Sequence, residues 1–350
     1  MRRTYAILED DKQFKYSKSQ LLELKIALDN LGLSESKTVT SDLLIFTNYS
    51  RYAWNKSKKF KDSTCRLILI RFEPIAVLPI QYKKRIEKRF DLILNPGGRV
   101  DVNLVSNFIG WPYSFNLNPS KPEIGKFSLK GVIEKAISDK LFDFDQWNLR
   151  KKPLVLIAAN KVSPTSNSNY RIRRFLARNL SSDELHVYGA LWMCSFRMKI
   201  SHRFRVMAYA IRTNYFPNVM EIYGNLFAKY PTFQSEPIDK HEILKHYKFS
   251  LVIENSSQYC SEKLFDAIIN GSIPIYIGPK SNEINLPEDL FLHCSGSIHE
   301  LRELLKQVTD EQCANILINM KRFIQSHEFV DSWQSDKVYE KIARILKDMK

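Results

Sequence analysis

The chain has 350 residues, of which 44% are hydrophobic and 26% are charged, and its formal net charge is +15. This composition is that of a globular protein, and the length predicts two domains of similar size rather than one ordinary core. No segment reaches the uninterrupted apolar length of a membrane span. The apolar stretch near the start covers only residues 5–8 before acidic residues follow, which argues against a signal peptide.

The five cysteines are scattered along the chain, and none forms a CxxC pair or a His/Cys spacing typical of a metal site. We therefore expect thiols in a reducing, cytoplasmic environment.

The positive charge is uneven, because residues 151–230 hold thirteen Lys or Arg against three Asp or Glu. Such a surface suits nucleic acid, an anionic membrane or a phosphorylated small molecule. The sequence contains no nucleic-acid motif, so nucleic acid is not an expected partner. Peripheral contact with the inner face of a membrane and a generic basic surface are equally consistent with the pattern.

The first half of the chain alternates between helical and strand patterns. Residues 20–31 follow helical spacing and end at Gly32, whereas residues 43–47, 66–72 and 91–94 are apolar runs followed by turn residues. This alternation predicts a Rossmann-like, parallel α/β domain. A carboxylate, Glu73, comes directly after the predicted strand at residues 66–72, at its carboxyl end.

The break between the domains is predicted near residues 143–153. We assign 1–148 to a first domain, 149–325 to a second domain and 326–350 to a C-terminal helix. That helix has one apolar face and is expected to pack on the first domain, with a membrane-lying helix as the alternative. The Asp143-Phe144-Asp145 triplet follows no strong buried strand, and we do not predict a metal site there.

The second domain opens with a predicted strand at residues 154–159, a loop rich in Ser and Asn, and a basic helix at 170–180. Another strand is predicted at 185–188, and residues 190–246 suggest no chemistry.

The stretch from Tyr247 to Pro279 combines a strand, a polar loop, a helix start and a second strand. Glu254 and Asn255 come at the carboxyl end of the first strand, where α/β proteins hold nucleotides. A helix N-terminus attracts phosphate, and a Lys there opposes the helix dipole. Lys263 is therefore better explained by an anionic ligand than by helix stability. The alternative is a solvated pair formed by Glu262 and Lys263 on a surface helix.

The motifs of this stretch resemble the donor-binding pattern of the glycosyltransferase family 10 fucosyltransferases. The matching pieces are Tyr247-Lys248-Phe249, Glu254-Asn255, Tyr259-Cys260-Ser261-Glu262-Lys263-Leu264 and Gly271-Ser272-Ile273-Pro274-Ile275 with Gly278. The departure is Cys260, where Val or Ile is usual.

The resemblance implies a GT-B architecture, in which two Rossmann-like domains face a central cleft. It implies that residues 1–148 form the acceptor-binding domain and residues 149–325 the domain that binds the donor, GDP-fucose. It implies an inverting transfer of L-fucose from GDP-fucose, and an acceptor of the N-acetyllactosamine or lipopolysaccharide O-antigen type with an alpha-1,3 linkage. It implies no obligatory cofactor and leaves divalent-cation stimulation open.

The resemblance also assigns roles to residues. A carboxylate in the first domain is the expected base, and Glu73 matches best, with capping of the following helix near Ala76 as the alternative. Arg173, with Arg171 next, matches the arginine that contacts the pyrophosphate, although a solvated basic helix face explains any single arginine as well. The expected donor-binding residues are Arg173, Glu254, Asn255, Tyr259, Glu262 and Lys263.

Two other functions remain open from the residues alone. One is a GT-B enzyme that uses a different sugar nucleotide, similar to the exostosin-like transferases. The other is a catalytically inactive basic binding protein.

Overall fold

The computed structural model describes residues 3–8, 18–36, 41–59, 64–96, 107–108, 129–150, 152–193, 196–213, 219–223, 227–236, 239–284, 286–327, 329 and 335–349. The chain divides into two compact units. Unit 1 comprises Met1–Lys126 and His327–Lys350, and unit 2 comprises Phe127–Ser326.

Unit 1 is built on a six-stranded sheet in which every described pairing is parallel. Its strands are β1 (Thr4–Leu8), β2 (Ser34–Glu35), β3 (Leu43–Thr47), β4 (Arg66–Ile70), β5 (Leu92–Pro96) and β6 (Asn107–Phe108). Their order across the sheet is β2-β1-β3-β4-β5-β6. All five residues of β3 are buried, which explains its continuous apolar run, since strands of parallel sheets are covered on both faces.

Helices cover this sheet. They are α1 (Lys18–Asn30), α2 (Arg51–Ser57), α3 (Lys84–Glu87) and the C-terminal helix (Ser335–Asp348), with a 3-10 turn at Pro79–Tyr82. The C-terminal helix places Val338, Ile342 and Leu346, all fully buried, in the same apolar cluster as Leu24 and Leu28 of α1. Its apolar face is therefore occupied by the core of unit 1.

Unit 2 also contains a six-stranded sheet with parallel pairings throughout its described strands. Its strands are β7 (Lys152–Ile157), β8 (His186–Tyr188), β9 (Phe233–Ser235), β10 (Tyr247–Ile253), β11 (Ile273–Ile277) and β12 (Leu292–His293). The order is β12-β11-β10-β7-β8-β9, which puts β10 and β7 at the centre.

The helices of unit 2 are α4 (Leu129–Ser138), α5 (Phe144–Asn148), α6 (Tyr170–Asn179), α7 (Phe196–Arg212), α8 (Val219–Tyr223), α9 (Lys240–Leu244), α10 (Glu262–Ile269), α11 (Ile298–Gln307) and α12 (Asp310–Gln325). Short 3-10 turns occur at Ser281–Glu283 and Glu288–Leu290. Gly271, at φ 60°, follows the end of α10. A Cβ on this residue would lie 2.0 Å from the carbonyl oxygen of Leu141, so only glycine fits.

The boundary between the units comes earlier in the chain than the break expected after residue 148. The segment around α5 lies in unit 2 because two of its side chains bind that unit's backbone. Trp147 donates to the carbonyl oxygen of Lys248 at 2.9 Å, and Arg150 donates to those of Tyr247 and Gly271 at 3.0 and 2.7 Å. Asp143, from the DxD triplet, caps α5 by accepting from the N–H of Gln146.

No helix in the described part of the chain is both long and apolar enough to cross a membrane.

Candidate active site

The candidate site of unit 2 begins where β10 ends. Glu254 and Asn255 follow the last strand residue directly, and the N–H of Glu254 still bonds to the carbonyl oxygen of Ile277 on β11. The loop after β7 approaches from the other side, where the N–H of Asn169 donates to the carbonyl oxygen of Asn255 at 3.1 Å. The polar residues thus lie at the carboxyl edge of the sheet, as the strand pattern predicts.

The N-terminus of α10 lies beside this edge. Ser261 caps the helix, and its hydroxyl accepts from the backbone N–H of Lys263 at 3.4 Å and from the ammonium Nζ of Lys263 at 2.8 Å. The same ammonium lies 3.9 Å from Oε2 of Glu254 and 3.7 Å from Oε1 of Glu262. The Lys263 side chain keeps 22% of its surface exposed. One partly exposed cation therefore lies at a helix N-terminus between two carboxylates.

Glu254 is fully buried and connects the strand end to the helix start. Its Oε1 accepts from the N–H of Ser261 at 2.8 Å, and the hydroxyl of Tyr276 lies 3.5 Å away. Its Oε2 has no hydrogen-bond partner. Burial raises the pKa of Glu254, while Lys263 and the Ser261 hydrogen bonds oppose that rise. The Glu254 carboxylate is therefore closed to solvent, and its Oε2 faces the ammonium of Lys263 at 3.9 Å.

Glu262 is more open, with 25% of its side chain exposed. Burial raises the pKa of Glu262, but the charges of Lys263 and Lys240 outweigh that effect and hold the pKa below its ordinary value. Lys240, at the start of α9, binds Oδ2 of Asp266 at 2.5 Å. Glu262 is thus held in its ionised form, which accepts but does not donate hydrogen bonds.

Arg173 lies in the first turns of α6 and is buried, with 3% exposed. Its Nη2 donates to the carbonyl oxygen of Ile253 and, at 3.0 Å, to Oδ1 of Asn255. Its guanidinium carbon lies 5.0 Å from the ring centre of Tyr170. Burial lowers the pKa of the guanidinium. The structure therefore brings Arg173 to the site, where its hydrogen bond orients the side chain of Asn255.

Tyr259 is also buried, and its N–H donates to the carbonyl oxygen of Ser256 at 3.3 Å, so it belongs to the loop that joins β10 to α10. Cys260, the departure from the fucosyltransferase pattern, is buried next to it, and burial raises the pKa of its thiol. A neutral, buried thiol acts there as a small apolar side chain.

Glu73 lies in unit 1, after the end of β4, and is half-buried. Its N–H donates to Oδ1 of Asn48 at 3.1 Å. Its carbonyl oxygen accepts from Nε2 of Gln81 at 2.7 Å and from the hydroxyl of Tyr82 at 3.0 Å. The six donor-binding candidates therefore lie together in unit 2, and Glu73 belongs to the other unit.

Three neighbours of the predicted residues were missed by sequence reasoning. Ser261 contacts Lys263, the charge of Lys240 acts on Glu262, and Asn48 holds the backbone of Glu73. A Ser directly before Glu262-Lys263 is an N-cap signal, and Asn48 follows a predicted strand, so both had a local signal. Lys240 had none, because its contact with Asp266 joins residues 26 positions apart.

Chemically, the unit 2 cluster suits an anionic ligand that also carries hydroxyl groups. The helix N-terminus and Lys263 attract phosphate oxygens, whereas the partly exposed carboxylate of Glu262 can accept hydrogen bonds from hydroxyls. Within the described residues, no group of three or more His, Cys, Asp or Glu side chains is arranged to hold a metal ion.

The fold places the protein in the GT-B class of glycosyltransferase folds. Anabaena HepE, solved in complex with UDP and glucose, aligns over 100% of both chains with a TM-score of 0.51 and 9% sequence identity. At that identity the similarity concerns the fold alone. It confirms the expected α/β architecture with two parallel sheets.

The sequence is similar to one known family over part of its length. Residues 187–344 match the model of glycosyltransferase family 10 (fucosyltransferase) C-term. A bovine 4-galactosyl-N-acetylglucosaminide 3-alpha-L-fucosyltransferase 9 is 33% identical over 122 residues, which cover 30% of this chain and 32% of the relative. An alpha-(1,4)-fucosyltransferase of Arabidopsis thaliana is 38% identical over 78 residues, which cover 21% of this chain and 20% of the relative. The chain therefore spans about a third or less of the length of these relatives.

Proposed function

We propose that this protein is an inverting fucosyltransferase that moves L-fucose from GDP-fucose to a hydroxyl group of an acceptor glycan. The observation that carries the proposal is the position of Lys263, whose ammonium lies at the N-terminus of α10 between Glu254 and Glu262. The names of the fucosyltransferase relatives support fucose as the transferred sugar.

In this proposal the donor binds to unit 2. Lys263 pairs with the pyrophosphate. Arg173 adds a second positive charge and holds the side chain of Asn255 in place. Glu262 and Tyr259 bind the ribose or a phosphate. Asn255 and Glu254 lie near the fucose, where the buried carboxylate of Glu254 holds the start of α10 by accepting from the N–H of Ser261. No metal is required, because cationic side chains balance the charge of the leaving GDP.

Glu73 is the proposed base. It takes the proton from the acceptor hydroxyl, the acceptor oxygen forms a bond to the anomeric carbon, and the bond from that carbon to the phosphate oxygen breaks. GDP leaves with the electron pair, and the product is alpha-linked. The backbone hydrogen bonds of Glu73 support this role, because a base must be held in a defined position.

The proposed acceptor is a glycan hydroxyl. The bovine relative's name supports N-acetylglucosamine in an N-acetyllactosamine-type chain with an alpha-1,3 linkage. A lipopolysaccharide O-antigen chain carries the same type of hydroxyl. We also propose a cytoplasmic location with peripheral contact to the inner face of the membrane, in line with the basic stretch at residues 151–230.

The experiment first compares the binding of two nucleotides and then measures the transfer reaction. Calorimetry with GDP and UDP should show binding of GDP and much weaker binding of UDP. Release of GDP from GDP-fucose is then measured with N-acetyllactosamine-type and lipid-linked acceptors. Glu73→Gln should keep GDP affinity but lose transfer. Glu35→Gln, which changes an exposed carboxylate of the same unit, is the matched control.

Three outcomes contradict the proposal. Preferential binding of UDP would indicate a GT-B enzyme with another sugar nucleotide. Binding of nucleic acid that weakens steeply with salt, without affinity for GDP, would indicate a basic binding protein. Full transfer by Glu73→Gln would assign the base to another carboxylate.

A further inference from the structure

The surface around α7 is both apolar and basic. Exposed large apolar side chains concentrate in residues 193–227, where Met193, Phe204, Ile211 and Met220 are exposed by 72%, 59%, 67% and 80%. Ordinary monomer surfaces carry such residues singly, so a concentration of this kind in one segment indicates an interaction surface.

The sequence of α7 adds charge to this surface. The helix contains five Lys or Arg and no Asp or Glu. Arg197, Phe204 and Ile211 recur every seven residues and are therefore aligned on one side of the helix, and Arg197 is exposed as well. Arg205, next to Phe204, is also exposed. Apolar and cationic side chains thus share the solvent-facing side of one helix.

We propose that the exposed side of α7 docks on an anionic lipid surface, with Phe204 and Ile211 entering the headgroup region and Arg197 and Arg205 binding lipid phosphates. Helices that lie in a membrane interface combine an apolar stripe with Lys and Arg in this way. An anionic lipid surface offers apolar depth and negative charge within a few ångströms, which matches both side-chain types.

Charge complementarity favours this partner over the alternatives. A second copy of the chain would bring two basic surfaces together if α7 packed on α7, and like charges oppose such a contact. The inference specifies the membrane contact named in the proposed function. It does not depend on the sugar that is transferred, and it is tested without catalysis.

The test uses the purified full chain and sedimentation with two kinds of vesicle. One contains phosphatidylcholine alone, and the other contains phosphatidylcholine with phosphatidylglycerol. The wild type should bind the anionic vesicles and not the neutral ones, and binding should weaken as salt is raised.

Two pairs of substitutions separate the contributions of α7. Phe204→Ser with Ile211→Ser, and Arg197→Gln with Arg205→Gln, should each weaken binding to anionic vesicles by about tenfold or more. The matched control is Ile318→Ser with Lys321→Gln, which removes an exposed apolar and an exposed cationic side chain from α12 and should leave binding unchanged. GDP affinity and the thermal unfolding midpoint verify that each variant is folded.

Several results would overturn the inference. One is that the wild type does not bind anionic vesicles, and another is that it binds neutral vesicles equally well. A third is that the α7 variants are folded and bind anionic vesicles as the wild type does. Self-association that is lost in the Phe204 and Ile211 variant, without vesicle binding, would assign the surface to a second copy. A wild type that does not bind GDP would contradict the proposed function and leave the vesicle result unaffected.

Discussion

Asn48 holds the backbone of Glu73. The side-chain oxygen of Asn48 accepts hydrogen bonds from the N–H groups of Phe72 at 2.7 Å and of Glu73 at 3.1 Å. Asn48 follows β3 with φ at 60°, a left-handed conformation that asparagine tolerates. Gln81 and Tyr82 bind the carbonyl oxygen of Glu73 from the other side. Both polar groups of the Glu73 backbone are therefore fixed by side chains.

This arrangement predicts that Asn48→Gly slows transfer without weakening donor binding. Glycine adopts a φ of 60° without strain but lacks the acceptor oxygen, so the backbone of Glu73 loses one of its anchors. We expect the single-turnover rate to fall roughly tenfold or more while GDP affinity stays constant. Lys140→Gly is the matched control, because Lys140 also has a positive φ, at 52°. Wild-type turnover in Asn48→Gly would show that the anchor is dispensable.

Lys263→Ala tests the anion site. Among the described residues, Lys263 is the only one whose side-chain cation lies between Glu254 and Glu262. Its removal leaves two carboxylates at the proposed pyrophosphate site. We expect the transfer rate to fall about a hundredfold, and calorimetry should show weaker GDP binding. Lys306→Ala, on an exposed helix of the same unit, should change neither quantity. An unchanged affinity for GDP would place the pyrophosphate elsewhere.

Lys240→Met should destabilise unit 2. The substitution leaves Asp266, which is 4% exposed, without the ammonium that binds it at 2.5 Å. We expect the free energy of unfolding to fall by about 2 kcal/mol, less than for a fully buried pair because Lys240 is partly exposed. Adding Asp266→Asn should restore most of the loss, since no buried charge then remains. Strictly additive effects in urea unfolding would show that the two residues do not interact.

His202 predicts a dependence of stability on pH. Burial, with the nearby charges of Arg205, Arg203 and Lys161, lowers the pKa of His202 to about 4 from the ordinary 6.5. The unfolded chain therefore binds a proton between those values and the folded chain does not. The stabilisation is fully present above pH 6.5 and is lost as the pH falls towards 4.

Urea unfolding at pH 7 and pH 5 measures this effect. The wild type should lose roughly 1 kcal/mol from this group on going to the lower pH, and His202→Gln should lose less. His299→Gln, at an exposed position, should keep the wild-type difference. A loss of stability that is identical in all three proteins would assign the pH dependence to other groups.

The sequence predicted those parts of the site that depend on element boundaries. A strand that ends at Ile253 and a helix that begins at Glu262 bring Glu254, Asn255 and Lys263 to one edge, as observed. Local spacing did not reveal that Arg173 lies buried against Ile253 and Asn255. Helix periodicity predicts which side of the helix a residue lies on, but it does not predict how deeply that residue is buried.

The boundary between the units was harder to predict for a similar reason. We predicted the domain break within residues 143–153, yet Trp147 and Arg150 bind carbonyl groups about a hundred residues later in the chain. Such long-range contacts leave no periodic signal in the sequence. Lys240 and Asp266 were missed for the same cause.

The position of the C-terminal helix has a consequence for biosynthesis. Residues 127–326 form one continuous unit, so they can acquire their native contacts while the chain is still leaving the ribosome. Unit 1, although its strands are made earlier, lacks Val338, Ile342 and Leu346 of its core until the residues after unit 2 have been synthesised. Unit 1 is therefore completed after unit 2, and the nascent chain exposes the apolar side of α1 until then.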